Sequence, residues 1–264
     1  MTKLRNMIQL ITGFHAIEER IRRAAEKQNV SGMTVYVSKT GPRVKKILEL
    51  AKKNSVRCVN SQNRELDDMV RTLPPAAQDH RGIVLSVEGE REEAENKTDF
   101  DIWIASQKKS EEAATVIILD SVTDPHNTGA ILRSCDQFGV SLAVMPVRNS
   151  ANDFQDNEII ARSSAGASAY VPVSVVTNLV RSVQQLKDAG FWIYGADAGG
   201  KSLENVKFPP KTAIIMGSEG TGIARLLEEQ CDEIVSIPTC GRIDSLNVSV
   251  AAGVLLYERY RQTV

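Results

Sequence analysis

The chain has 264 residues, 42% hydrophobic and 25% charged, with a net charge of -1. That composition belongs to an ordinary soluble globular protein with room for one large domain or two modest ones. No apolar run is long enough to cross a bilayer, residues 1–9 lack the apolar core of a signal peptide, and Cys58, Cys135, Cys231 and Cys240 form no CxxC pair. These features argue against a membrane protein, a secreted disulfide scaffold and a zinc site, and lead us to expect a cytoplasmic protein with reduced thiols.

The near-zero net charge hides a split. Residues 1–88 carry 16 Lys and Arg against 9 Asp and Glu, a net of +7, and the remainder carries 16 against 24, a net of -8. A basic N-terminal third suits an RNA-contacting module, and equally a solvated basic surface with no partner. Within it, residues 10–28 read as a short lead followed by an amphipathic helix. A strand is expected over 33–38, a helix over 42–55, a strand over 56–60, a short helix over 63–72 and a strand over 83–88. This alternation predicts a small α/β domain whose helices carry Arg20, Arg22, Arg23, Lys45, Lys46, Lys52 and Lys53. Residues 89–99 (GEREEAENKTD) are acidic and without apolar periodicity, as a linker would be. The expected division is 1–88, a connection over 89–112 that includes one or two helical turns at 100–107, and a second domain over 113–264.

In the second domain, continuous apolar strands are expected over 115–120, 141–147, 191–196, 212–217 and 233–238. Helices are expected between them over 128–138, 158–164, 179–189 and 224–230. Strands buried on both faces and separated by helices predict a parallel sheet, whose ligands bind at the carboxyl ends of the strands. The polar loops DSVTDPHNTG, GADAGGKS, GSEGTG and PTCGRIDSLN fall at those ends. The last leads into a helix expected to begin at Ser245 and to bury Leu246, Val250, Val254, Leu255 and Tyr257 on one face. Ser245 and Asn247 would then sit in its first turn beside unpaired backbone N–H groups, as a helix cap or as part of a site.

The glycine-rich loops admit several readings. Residues 195–202 (GADAGGKS) fit the phosphate-loop pattern letter for letter, but that mechanism needs a helix immediately afterwards, and LENVKFPPK is too short and ends in two prolines. Residues 217–222 (GSEGTG) lack dinucleotide-turn spacing, and the next strand ends in Ser236-Ile237-Pro238 rather than in an acidic residue. GSEG is not a nucleophile elbow, and the three histidines give no triad.

Taken together, three loops carry a more specific pattern. Asn127 is followed six places on by Arg133; an apolar strand ends in Gly217 and leads to Glu219-Gly220; another ends in Ile237-Pro238 and leads to Ser245-Leu246-Asn247. In these three ordered motifs the chain closely resembles the SpoU family of RNA 2′-O-ribose methyltransferases, strongly from Ala114 to about Arg261. The resemblance implies a parallel-sheet α/β methyltransferase domain with a deep C-terminal trefoil knot, and a smaller N-terminal α/β domain similar to ribosomal protein L30e that binds the RNA substrate. It implies S-adenosylmethionine as cofactor, contacted mainly through the main chain of Gly217, Ile237 and Leu246, and a homodimer formed through the C-terminal segment. No metal is needed where the cofactor supplies the activated electrophile. By the same resemblance Asn127, Arg133, Glu219, Ser245 and Asn247 form the catalytic set. In the family the residue at Arg133 is often proposed as the base, but a guanidinium rarely gives up its proton, and we expect Arg133 instead to bind the adjacent phosphate and steady the developing alkoxide. Glu219 would fix Arg133 or neighbouring backbone donors, and the short polar side chains would orient the ribose and Arg133. His126 reads as a turn residue.

The DPHN turn, the ITGFHAIEE start and the overall length point within the family to a guanosine of 23S rRNA. A tRNA substrate, or a non-catalytic RNA-binding or ribosome-assembly factor of the same fold, are the alternatives. Two departures bear on substrate identity: Asn149-Ser150-Ala151 stands where many relatives have Arg before Ser-Ala, and residues 152–158 are polar and acidic.

Overall fold

The computed structural model describes residues 7–73, 77–89, 96–152, 157–242 and 245–264. Most of the acidic linker, Asp153 and Asp156 of the acidic stretch, and Ile243-Asp244 lie outside the described residues. By contacts the chain divides into one unit of Met1–Glu93 with Asp156–Gly166, and a second of Ala94–Gln155 with Ala167–Val264.

The first unit is built on a four-stranded sheet: β1 (Met7–Ile11), β2 (Met33–Val37), β3 (Arg57–Asn60) and β4 (Ile83–Gly89), in the order β1-β4-β2-β3. β4 pairs antiparallel with β1 and β2, and β2 pairs parallel with β3. The lead before the first helix is therefore a strand, β1. Helices α1 (Phe14–Glu26) and α2 (Pro42–Lys53) turn Ile17, Ile21, Val44 and Ile47 onto Val35 and Leu85. Pro42 opens α2 at its first helical position, where a missing N–H costs no bond. Helix α3 (Asn63–Val70) packs Leu66 and Val70 against Val84.

The same unit takes in α6 (Glu158–Ser163), a helix drawn from far along the chain: Ala161 packs against the α1 core. Glu158 Oε1 accepts from the Thr12 amide at 3.2 Å, its Oε2 lies 2.5 Å from the Thr12 hydroxyl, and Arg162 Nη2 donates to that hydroxyl at 2.6 Å and to the Asp79 carbonyl at 2.8 Å. Gly13 adopts a φ of 84°, and a Cβ there would lie 2.9 Å from Arg162 Nε.

Burial pushes the Glu158 carboxyl above its ordinary value, only partly offset by the bonds from Thr12 and by Arg162. A carboxyl whose folded pKa lies above its unfolded one holds more protons folded than unfolded. Stability is then lost as pH rises from the unfolded value of about 4.3 through the folded one. Glu158→Gln removes that titration. Urea unfolding should show wild-type stability falling relative to Glu158→Gln between acidic and neutral pH; a constant difference would mean the carboxyl is unshifted.

The second unit carries six parallel strands in the order β10-β8-β9-β5-β6-β7. These are β5 (Ala114–Leu119), β6 (Leu142–Pro146), β7 (Val173–Val176), β8 (Trp192–Ser202), β9 (Lys211–Met216) and β10 (Glu233–Ser236). Every residue of β5 is buried, as the apolar run predicts for a strand covered on both faces. The helices are α4 (Phe100–Gln107), α5 (Pro125–Gln137), α7 (Leu179–Asp188), α8 (Arg225–Glu228) and α9 (Val248–Arg261). Strand β7 is an element the apolar pattern did not predict. Residues 96–98 are held beside it: Asn96 Nδ2 donates to the carbonyls of Ser168 and Val171, each at 2.8 Å, and the Thr98 amide donates to the Val173 carbonyl at 2.8 Å. Phe100 and Ile104 of α4 enter the core of this unit.

Residues 195–202 form no phosphate loop. They continue β8, and Lys201 pairs with Glu233 at 2.9 Å. Gly200 is needed because a Cβ there would lie 2.6 Å from the Ile234 backbone of β10.

The C-terminal helix departs from expectation. It starts at Val248, capped by Asn247 rather than Ser245, and it buries Val248, Ala252, Leu255, Leu256 and Arg259. Of the face expected to be buried, Leu246, Val250 and Tyr257 are exposed. Residues 248–257 are apolar almost all round, so periodicity alone could not select the inner face. Near its end, Arg259 Nη2 donates to the Pro210 carbonyl at 2.8 Å, and Gln262 bonds the Phe208 amide and the Val206 carbonyl, each at 2.9 Å. These contacts tie α9 to the segment leading into β9.

Candidate active site

All six strands run the same way, so the loops after β5, β9 and β10 leave one edge of the sheet. After β5, Asp124 caps α5 by accepting from the His126 amide at 2.9 Å, and Pro125 takes the first helical position. The helix thus begins three residues earlier than its apolar pattern suggests, and Asn127 lies buried in its first turn. After β9, the chain turns tightly: Ser218 N donates to Gly222 O at 3.0 Å and Gly222 N to Ser218 O at 3.2 Å. Glu219 sits exposed at the tip of that turn.

Three of the five candidate catalytic side chains meet. Asn127 Nδ2 donates to Glu219 Oε1 at 2.9 Å, and Asn247 Nδ2 donates to the same oxygen at 2.6 Å and lies 3.0 Å from Asn127 Oδ1. Asn247 has a second task. Its Oδ1 caps α9, accepting from the Ser249 amide at 2.9 Å, the Ser249 hydroxyl at 2.6 Å and the Val250 amide at 3.4 Å. One asparagine therefore sets the start of the last helix and closes a ring of side chains from three loops.

Arg133 and Ser245 do not join this ring. Six helical steps carry Arg133 about 240° around α5 and about 9 Å along it from Asn127. The residue is exposed, and its side chain makes no hydrogen bond or ion pair among the described residues. Glu219 accordingly fixes two side-chain amides, not Arg133. Ser245 is exposed and bonds none of the other four.

Of the cofactor candidates, Gly217 directly follows β9, Ile237 follows β10 half-buried, and Leu246 is 39% exposed just before α9. Glycine and two aliphatic residues bring no side-chain charge of their own, as a site for a flat heteroaromatic group requires. At Gly217 a Cβ would lie 2.2 Å from the Gly222 carbonyl carbon, so no other residue allows the turn to close.

Asp120 was not singled out from the sequence. It is 7% exposed directly after β5, and its Oδ2 accepts from the Ala224 amide at 2.7 Å, tying the first loop to the segment before α8. Its signal was an acidic residue closing an otherwise apolar strand.

A model of the SpoU rRNA Methylase family matches residues 114–257, and a model of RNA 2′-O ribose methyltransferase substrate binding matches residues 10–92. An uncharacterized tRNA/rRNA methyltransferase of Borreliella burgdorferi is 38% identical over 233 residues, 87% of this chain and 98% of that protein. A solved RNA 2′-O ribose methyltransferase superposes with a TM-score of 0.71 at 22% identity, covering 97% of this chain and 89% of its own. The SpoU methyltransferase AviRb from Streptomyces viridochromogenes, in complex with the cofactor AdoMet, gives 0.66 at 23% identity, covering 96% and 89%. At these identities the two solved structures carry the fold alone.

Proposed function

The chain belongs to the SpoU rRNA methylase family, and on that premise we propose that it is an S-adenosylmethionine-dependent enzyme that methylates the ribose 2′-hydroxyl of a guanosine in 23S rRNA. The observation that carries the reading is the ring of Asn127, Glu219 and Asn247 at the carboxyl edge of the six-stranded sheet. Bound S-adenosylmethionine supplies a methyl group already activated as an electrophile. Gly217, Ile237 and Leu246 would hold it. Asn127, Ser245 and Asn247 orient the ribose hydroxyl, and holding it in attack geometry is most of what such a transfer requires. Arg133 grips the neighbouring phosphate and steadies charge developing on O2′; a guanidinium suits that role and gives up its proton too reluctantly to act as base.

Residues 1–88 would be the RNA-binding module, 89–112 the connection and 113–264 the methyltransferase domain of a cytoplasmic protein. Lys45, Lys46, Lys52 and Lys53 support the first assignment: all are exposed on α2 and form no ion pair among the described residues. A homodimer is supported by the outward face of α9, where Val250 is 51% and Tyr257 52% exposed. The knot is an expectation from family membership, and the packing of α9 on α5 is compatible with it.

Labelled S-adenosylmethionine is to be incubated with unmethylated 23S rRNA and with bulk tRNA, and the product mapped by resistance of the methylated linkage to alkali. Label at one guanosine of 23S rRNA is expected, with Arg133→Ala slowing transfer on the order of 10²–10³-fold. Label in tRNA would change the substrate, and absence of cofactor binding would leave a non-catalytic RNA-binding factor. Arg133→Lys with near wild-type rate would remove the role given to the guanidinium.

A further inference from the structure

Methylating a hydroxyl releases a proton, and something must accept it. Most of the candidate groups cannot. Asn127 and Asn247 are amides, Ser245 a hydroxyl, and Arg133 a guanidinium. His126 projects about 100° around α5 from Asn127, and its side chain makes no bond to the ring among the described residues.

Glu219 differs. Both asparagine amides donate to one of its oxygens, Oε1, at 2.9 Å and 2.6 Å. Its other oxygen, Oε2, accepts nothing among the described residues, and the residue is exposed at the tip of its turn. Two donors on one oxygen set the direction of the carboxylate and leave the second free for substrate.

Resting on the reading of the site as a ribose methyltransferase, we propose that Glu219 Oε2 is the proton acceptor for the 2′-hydroxyl. The O2′–H bond breaks as the O2′–CH3 bond forms, the electron pair of the donor's S–CH3 bond stays on sulfur, and the proton passes to Oε2 and then to water. Glu219 thereby ends as the carboxylate it began as.

The test is the pH dependence of single-turnover methyl transfer to unmethylated 23S rRNA, with S-adenosylmethionine affinity measured alongside. Glu219→Gln keeps a carbonyl oxygen that can accept from both amides, so the ring is preserved while the base is lost. Transfer is expected to fall about 10²–10⁴-fold with cofactor affinity changed less than about twofold. The acid limb of the wild-type profile should vanish, leaving a rate that climbs with hydroxide. Asn127→Ala breaks the ring but keeps the carboxylate, so it should be slower with a profile of wild-type shape. If Glu219→Gln does not fold, Glu219→Asp must retain the acid limb.

Glu219→Gln with a wild-type-shaped profile would reduce Glu219 to a brace and overturn the proposal, as would a wild-type rate that itself climbs with hydroxide through the alkaline range. A wild-type protein that transfers no methyl to RNA would overturn the functional reading, and the proposal with it.

Discussion

Gly217→Ala is expected to destabilise the protein by about 3–5 kcal/mol, the range reached when a side chain has no room and its surroundings cannot yield. The new Cβ would sit 2.2 Å from the Gly222 carbonyl carbon, 2.4 Å from its oxygen and 2.4 Å from the Ile223 amide nitrogen. All three are backbone atoms. To move them, the turn must give up the paired bonds between Ser218 and Gly222. It must also shift Ile223, which is 7% exposed and part of the core. Because Glu219 lies within the turn, the ring with Asn127 and Asn247 should open as well. Gly220, three residues on, has nothing within 4 Å of a built Cβ and no positive φ; Gly220→Ala should alter stability by no more than about 0.5 kcal/mol. Urea denaturation of both variants checks this. Similar small losses at the two positions would show that the turn can relax.

That contrast marks what the sequence could and could not supply. Both glycines stand in the same motif, yet only the approach of residue 222 distinguishes them, and that approach is a tertiary fact. Elements written in local pattern were legible: the apolar strands β5, β6 and β9, and the proline start of α2. Elements defined by what lies beside them were not. GADAGGKS reads as a loop by composition, yet it runs as strand because β10 lies against it. Strand β7 sits within a short stretch interrupted by Pro172, too brief for an apolar pattern to single out. The helix at 158–163 is local and legible as a helix; its packing with the N-terminal unit, through Thr12 and α1, is not. The candidate site divides the same way. The resemblance to the SpoU family, carried by three ordered motifs, brought Asn127, Glu219 and Asn247 forward together. That Glu219 bonds the two amides and leaves Arg133 aside depends on helical phase and loop path, which spacing along the chain does not carry.

Asn247 allows the two duties of one side chain to be separated. Asn247→Ala removes both the cap of α9 and the donor to Glu219, so it should cost about 1–2 kcal/mol of stability, as lost caps do. It should also lower methyl transfer on the order of 10²–10³-fold, as loss of an orienting donor does. Asn247→Asp keeps an oxygen for the amides of Ser249 and Val250, and aspartate caps helices as well as asparagine. While ionised it cannot make the bond that Asn247 Nδ2 donates to Glu219 Oε1 at 2.6 Å, and it sets a second carboxylate against the first. Two carboxylates at that distance resist ionising together, so one pKa of the pair must rise. The aspartate variant should therefore recover stability relative to Asn247→Ala as pH falls and the pair takes up a proton, while transfer remains low at neutral pH. If Asn247→Asp transferred methyl at the wild-type rate, the bond to Glu219 would be incidental and capping would be the whole of Asn247's contribution. If stability fell equally in both variants at every pH, the cap would carry no weight and the ring alone would hold the start of α9.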